Sequence, residues 1–295
     1  MKVLLTGACG QLGAAFQSIF LKKNVDYVAL DKTDMDISNV DKVYSILSAI
    51  KPHIIINTAA YTNVDLSEEQ SKEAFLINSN GPLILAKICA ELDIILVHFS
   101  TDYVFDGNKK TAYTPSDHTN PLNEYGRSKL AGEIKIQENC TNYIILRSSG
   151  LFSQYKKNFL KTMFDLSNSE KEIKIVSDQF CTPTFASDIA LAVTSILPKI
   201  NNKDFMPGIF HFAGNQTLSW DEFALEIFSQ ALKMGMIKKL PPIKKVSSKE
   251  YNSLASRPFF SALNSSDFLD EFSIAPSSTI KSIGITLTAL NNTLT

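Results

Sequence analysis

Lys2-Val3-Leu4-Leu5-Thr6-Gly7-Ala8-Cys9-Gly10-Gln11-Leu12-Gly13 is the stretch on which the fold turns. Lys2 to Thr6 is a short apolar run of the buried-strand kind, and a helical pattern runs from about Gln11 to Lys22. Glycines at 7, 10 and 13 fill the turn between them. Residues without a Cβ let a backbone approach a diphosphate closely. The helix that follows aims its free N–H groups and the positive end of its dipole at the same point.

Outward from that turn, strands and helices alternate. Tyr27 to Leu30, Ile54 to Ile56, Ile94 to Phe99 and Tyr143 to Arg147 read as buried strands. Val40 to Ile50, a long segment from Ser71 to Leu92, and Tyr125 to Asn139 read as helices. Continuous apolar strands separated by helices specify a parallel sheet covered on both faces, and right-handed crossovers make it a doubly wound, Rossmann-type α/β sheet. Further on, Asn158 to Asn168 and Ser187 to Leu197 are helical, while Ile173 to Val176 and Ile209 to Ala213 are strand-like. Ser219 opens a helix to Lys233 with Glu222 in capping-box position. The expected division is a dinucleotide-binding domain of residues 1–149 plus about 173–213, and a smaller α/β substrate domain of about 150–172 plus 214–295. Lys238 to Lys249, with two prolines and five lysines, reads as a solvated loop or a basic patch for a diphosphate.

Bulk properties narrow the function classes. The 295 residues carry 29 basic and 30 acidic side chains and 44% hydrophobic residues, as an ordinary soluble enzyme does. This balance gives no reason to expect a nucleic-acid or membrane partner, so an anionic ligand needs a local site. Cys9, Cys89, Cys140 and Cys181 are widely spaced, which reads as small buried thiols in a reducing cytosol. The apolar run before Gly7 is shorter than the roughly 7–15 residues of a signal-peptide core. The expected location is therefore cytoplasmic. His53, His98, His118 and His211 lack ligand spacing and read as structural, and no metal site is expected from them.

Asp31 ends the second strand about 20 residues beyond the glycines, where an acid accepts hydrogen bonds from an adenosine ribose and repels a 2′-phosphate. Lys32 beside it offsets part of that repulsion, so the expected cofactor is NADH, with NADPH tolerated. Asp36 and Ile37 fall where a loop meets the adenine. Tyr125-Gly126-Arg127-Ser128-Lys129 sets a phenol and an ammonium four apart on one helical face. A nearby ammonium is expected to lower the phenol's pKa and fit Tyr125 for proton transfer, with Lys129 also holding the nicotinamide ribose. Upstream, Val97 to Phe105 is a buried strand ending in two hydroxyls, and Thr101 at its carboxyl end is placed to hydrogen-bond a substrate carbonyl.

The glycine spacing resembles that of the short-chain dehydrogenase superfamily. Taken with Asn57-Thr58-Ala59-Ala60-Tyr61-Thr62-Asn63-Val64-Asp65, Phe99 to Gly107, Glu124 to Glu133, Ser177-Asp178-Gln179-Phe180-Cys181-Thr182-Pro183-Thr184, Gly208 to Gly214 and Arg257-Pro258-Phe259-Phe260-Ser261, the chain resembles the dTDP-4-dehydrorhamnose reductase family to about Asp267. The resemblance implies Thr101, Tyr125 and Lys129 as the catalytic set. It implies Gly7, Gly10, Gln11, Leu12, Gly13, Asp31, Ala59, Ala60 and Tyr61 around the cofactor. Thr62, Val64, Thr101 and Tyr103 would face the sugar, with Arg257 as a candidate for the substrate diphosphate. The implied reaction is hydride delivery from NADH or NADPH to the 4-keto carbon of a dTDP-4-keto-6-deoxyhexose. A homodimer and magnesium at a subunit contact are family-level expectations.

Two departures bear on the sugar. The family usually has tryptophan after Arg-Thr-Ser, whereas Arg147-Ser148-Ser149 here leads to Gly150, and Cys181 replaces a glycine. Phe152 is the nearest aromatic to fill the gap. Tyr103 after Asp102 disfavours the dehydratase branch, which resembles Thr-Asp-Glu at this point. The alternatives are a reductase or epimerase for another nucleotide keto-sugar, or a dinucleotide-binding regulatory subunit resembling the β subunit of methionine adenosyltransferase.

Overall fold

The computed structural model describes residues 1–292. Its strands are β1 (Lys2–Thr6), β2 (Asp26–Leu30), β3 (Ile54–Asn57), β4 (Ile95–Thr101), β5 (Tyr143–Ser148), β6 (Leu151–Phe152), β7 (Ile173–Val176), β8 (Phe180–Cys181), β9 (Thr184–Phe185), β10 (Gly208–His211), β11 (Leu218–Ser219) and β12 (Ile243–Val246). Its helices are α1 (Gln11–Lys23), α2 (Val40–Ile50), α3 (Val64–Glu69), α4 (Ser71–Phe75), α5 (Gly81–Glu91), α6 (Glu124–Asn139), α7 (Phe159–Leu166), α8 (Ala186–Asn201), α9 (Trp220–Lys233), α10 (Ser248–Tyr251), α11 (Ser266–Phe272) and α12 (Thr279–Asn291).

The main sheet is six-stranded and parallel, in the order β10-β5-β4-β3-β1-β2. Alternate residues of its strands feed two cores. Val3, Leu5, Val97 and Leu146 face Phe16, Phe20 and Val193 of α1 and α8. Leu4, Ile55, Leu96 and Ile145 face Leu47, Leu85, Cys89 and Ile136 of α2, α5 and α6. The strand order reverses between β1 and β3. In a doubly wound sheet the carboxyl ends at such a reversal splay apart and leave a ligand crevice.

Three expectations are corrected. Ile173–Val176 does not extend the main sheet. It pairs with β12 in a separate two-stranded parallel sheet, because Ile173 and Ile175 pack against Phe223, Ile227 and Ile243 in a core distinct from the two that flank the main sheet. Of the segment 173–213, α8 and β10 join the main sheet layers and β7 does not. The stretch 238–249 is accordingly more than a solvated loop, since Ile243–Val246 is that partner strand and Lys245 reaches Asp221 at 2.7 Å. Finally, the helix from Ser71 to Leu92 is interrupted by a π turn over Leu76–Asn80. The wider turn brings Asn78 inward, where it bonds the backbone of Tyr61 through both amide atoms and Ser128 Oγ at 3.0 Å. The capping box at Ser219 and Glu222 is present as read.

Candidate active site

The crevice holds a cavity of about 760 Å³ and a smaller one of about 240 Å³, which share Cys9, Gly10, Thr58 and Ala60 as wall. Gly7 turns the chain between them. Its φ is +66°, and a Cβ there would sit 2.6 Å from the Ala59 nitrogen, so a side chain is excluded by conformation and by space. Gly10 closes the turn by donating its N–H to Gly7 O at 2.8 Å. Gln11 and Leu12 also line the larger cavity. Gly13 stands behind the turn, where a Cβ would strike Gly7 O, so it lets the helix approach without forming wall. A cradle of this shape fits a dinucleotide diphosphate.

Asp31, Lys32, Asp36, Ile37, Ala59 and Ala60 line the smaller cavity. Asp31 Oδ1 accepts from the Thr33 N–H and hydroxyl, both at 2.7 Å, and Oδ2 from Cys9 Sγ at 3.3 Å. These donors, Thr33 foremost, bring the carboxyl down to about 2. Lys32 leans 3.7 Å from Glu73. Cys9 is exposed, which corrects the expectation of uniformly buried thiols; Cys89, Cys140 and Cys181 are buried. Tyr61 does not line either cavity: its N–H is held by Asn78 and its hydroxyl by Gln70.

Thr101, Tyr125 and Lys129 meet on the wall of the larger cavity, with Thr62, Val64 and Tyr103. The Thr101 hydroxyl lies in hydrogen-bond reach of the Tyr125 phenol and donates to Asp102 Oδ1 at 3.1 Å. Burial pushes Tyr125 up to about 12, against the partial lowering by Thr101. The expected lowering by an ammonium is therefore corrected. Lys129 Nζ instead donates to Phe99 O at 2.6 Å and faces His98 Nε2 at 3.4 Å. Burial lowers Lys129 to about 8, with the Glu133 carboxylate acting the other way.

Arg257 does not reach the cavity wall. Its fork grips Asp65 at 3.1 and 2.8 Å beside Tyr103, the ion-pair arrangement of this residue. Phe152 does not fill the place of the missing tryptophan either, being 1% exposed and packed on Phe185 and Phe223. Gly150 has φ +55°, and a Cβ on it would lie 3.2 Å from Cys181 Sγ and 3.1 Å from Pro183 Cα. The two departures from the family pattern thus touch each other. Sequence reading also missed Asp102, whose Oδ2 accepts from Ser149 at 2.8 Å and Ser261 at 2.5 Å, and which burial raises to about 6 against those hydroxyls. Trp220 and Phe159, their ring centroids 4.7 Å apart, also line the cavity. Among the described residues, no group of three or more His, Cys, Asp or Glu is placed to hold a metal ion, and no helix is long and apolar enough to cross a membrane.

A doubly wound sheet with a glycine turn at its switch point, and a threonine, tyrosine and lysine over the adjoining strand ends, defines an extended short-chain dehydrogenase/reductase. Residues 1–291 match the family model described as "RmlD substrate binding domain", and the chain belongs to that family. It is 37% identical to the dTDP-4-dehydrorhamnose reductase of Aggregatibacter actinomycetemcomitans, over 94% of this chain and 95% of the relative. The reductase of the same name from Escherichia coli strain K12 is 35% identical over 93% of each. The crystal structure of dTDP-4-dehydrorhamnose reductase from Bacillus anthracis in complex with NADP superposes with a TM-score of 0.90 at 33% identity, covering 98% of this chain and 99% of that one.

Proposed function

We propose that this protein is a nicotinamide-dependent reductase of the 4-keto group of a dTDP-4-keto-6-deoxyhexose, converting dTDP-4-dehydro-L-rhamnose to dTDP-L-rhamnose. The observation that carries the reading is the convergence of Thr101, Tyr125 and Lys129 on a cavity continuous with the glycine turn. The names of the relatives supply the sugar.

Gly7, Gly10, Gln11 and Leu12 would hold the dinucleotide diphosphate, and Asp31, Asp36, Ile37, Ala59 and Ala60 the adenosine end. The bound nicotinamide supplies the hydride that adds to the ketone carbon. Tyr125 gives its O–H proton to the carbonyl oxygen. A general acid must carry its proton before it acts, and a phenol held near 12 does so throughout the neutral range. Thr101, its hydroxyl turned from Asp102 to the carbonyl oxygen, would hold that oxygen beside the phenol, while Thr62, Val64 and Tyr103 would face the sugar. We assign NADH as the preferred cofactor, because the Asp31 carboxylate stays ionised and Lys32 leans to Glu73.

One observation favours a second substrate within the same chemistry. At Gly150, Cys181 Sγ and Pro183 stand where a side chain would begin, so the indole of roughly 150–250 Å² usual in the family gives way to a wall of different shape, which suits a different keto-sugar. The test is oxidation of NADH and of NADPH by the purified protein with freshly made dTDP-4-keto-L-rhamnose, followed by the loss of reduced-nicotinamide absorbance. Rapid turnover, faster with NADH, is expected. Binding of cofactor without its oxidation would defeat the rhamnose assignment and direct the assay to other dTDP-keto-sugars.

A further inference from the structure

Behind Lys129 a line of side chains crosses the sheet and ends at the cofactor turn. Lys129 Nζ faces His98 Nε2 at 3.4 Å, His98 Nδ1 meets Asn57 Nδ2 at 2.9 Å, and Asn57 Oδ1 meets Thr6 Oγ1 at 2.6 Å. The line passes from α6 through β4 and β3 to β1, and its four residues are at most 2% exposed.

The direction of every proton in this line can be worked out from one backbone group. The Ala59 N–H, which can only donate, points at Asn57 Oδ1 at 3.3 Å. That fixes the amide: Oδ1 accepts from Ala59 and Thr6, so Nδ2 must donate to His98. His98 Nδ1 is then the acceptor nitrogen. Burial, together with the charge of Lys129, holds His98 well below the usual histidine range, so the ring is neutral. A neutral imidazole whose Nδ1 accepts carries its proton on Nε2. That N–H points at Lys129 Nζ, and an ammonium has no lone pair to receive it, whereas an amine does.

We propose that His98 is a positioning residue: held as the Nε2–H tautomer by Asn57, it favours the amine form of Lys129 and so sets the pH at which that lysine loses its charge. The role rests on the reductase reading, whereas the coupling between His98 and Lys129 does not. In the step, Tyr125 loses its O–H proton to the carbonyl oxygen. A proton from solvent then returns the resulting phenolate to the phenol. Where Lys129 has lost its proton, the amine nitrogen accepts a hydrogen bond from the His98 Nε2–H.

The other charged groups around Lys129 do not supply this effect. Glu133, on its own helix, favours the ammonium, and both Glu133 oxygens are tied to Arg147 of β5 at 2.9 and 2.6 Å. Asp102 acts on Tyr125, which is a neutral phenol. Burial brings Lys129 to about 8, and the His98 hydrogen bond acts in the same direction. The sign follows: Lys129 loses its proton as pH rises, so reduction should fall on the alkaline side, through a limb well below the ordinary lysine value of about 10.4.

Side-chain nitrogen–proton NMR correlations on the wild-type protein test the tautomer directly, with His98 picked out of the four histidines by its absence in His98→Gln. A bare Nδ1 and a protonated Nε2 are expected. An Nδ1–H tautomer or an imidazolium would overturn the proposal, whether or not the variant folds. In His98→Gln the amide oxygen can accept from an ammonium. The Lys129 midpoint in a lysine 13Cε titration, and the alkaline limb of reduction, should both move up by about one pH unit or more. A midpoint that stays in place in the folded variant defeats the coupling. If the midpoint moves but no keto-sugar is reduced, the coupling stands and the reductase reading fails.

Discussion

The two cavities of the crevice are built in different ways. Every residue lining the smaller one lies between Gly7 and Ile77, and all but Ile77, which is on the π turn, sit at the carboxyl ends of β1, β2 and β3 or just beyond them. The larger one gathers its wall from Cys9 to Ser261, including Gln179, Phe180, Trp220 and Pro258, which lie outside the main sheet. Their acids differ accordingly. Asp31 is open to solvent and brought down to about 2 by short-range donors, while Asp102 is 4% exposed and raised to about 6 in spite of its hydroxyl partners. A local turn suffices to make a binding surface for a solvated, charged ligand. A group that must work beside a neutral phenol needs distant segments to exclude water.

If that division holds, a change at the chemical end should abolish turnover and leave dinucleotide binding alone. Tyr125→Phe is expected to lower kcat by about 10²–10⁴-fold, with NADH affinity by fluorescence titration unchanged. A comparable loss of NADH affinity would show that the two ends are not separable. The reverse change is Gly7→Ala. With φ at +66° and the Ala59 nitrogen 2.6 Å from the new Cβ, the turn must deform. NADH affinity should fall by at least about tenfold, near 1.4 kcal/mol. Stability in urea should drop by about 1–3 kcal/mol. Unchanged affinity would mean that the turn does not carry the diphosphate.

The same division explains what could be read from sequence. The glycine turn, Asp31, and the strand ends at Ala59 and Thr101 are local patterns, in which spacing along the chain dictates position in space. Tyr125 and Lys129 are equally local, being one turn apart on α6. Ser261 reaches Asp102 across 159 positions, and Asp65 grips Arg257 across 192, so no periodicity announces either contact. Ile173–Val176 was misplaced for the same reason. A short β-branched strand looks alike in any parallel sheet, and only its partner Ile243–Val246 reveals which one it joins. The pKa of Tyr125 could not be read because it depends on burial and on where Lys129 Nζ points, both properties of packing.

A smaller effect sharpens the smaller cavity. Asp31→Ser removes the ionised carboxylate and leaves Lys32 beside the pocket. The ratio of kcat/KM for NADPH over NADH should rise by about tenfold, equivalent to 1.4 kcal/mol. Since Asp31 is ionised well below neutrality, the wild-type preference should be flat across the neutral range. An unaltered ratio in the variant would assign cofactor choice to other residues.

The smallest expected effect concerns the wall of the larger cavity. Gly150→Ala places a Cβ at φ +55°, where an L residue costs about 1–2 kcal/mol. That Cβ also lies 3.2 Å from Cys181 Sγ. Cys181→Gly removes the sulfur and leaves the backbone strain in place. A double-mutant cycle in urea should therefore give a coupling of about 0.5 kcal/mol or more, with the double variant less destabilised than the two single effects predict. Additivity would mean that the Pro183 backbone, 3.1 Å from the same Cβ, sets the limit alone. Coupling would mean that glycine at 150 and cysteine at 181 form one unit of wall. In that case an aromatic could not be restored at 150 without also vacating 181, and the sugar end of this chain would accept only paired changes.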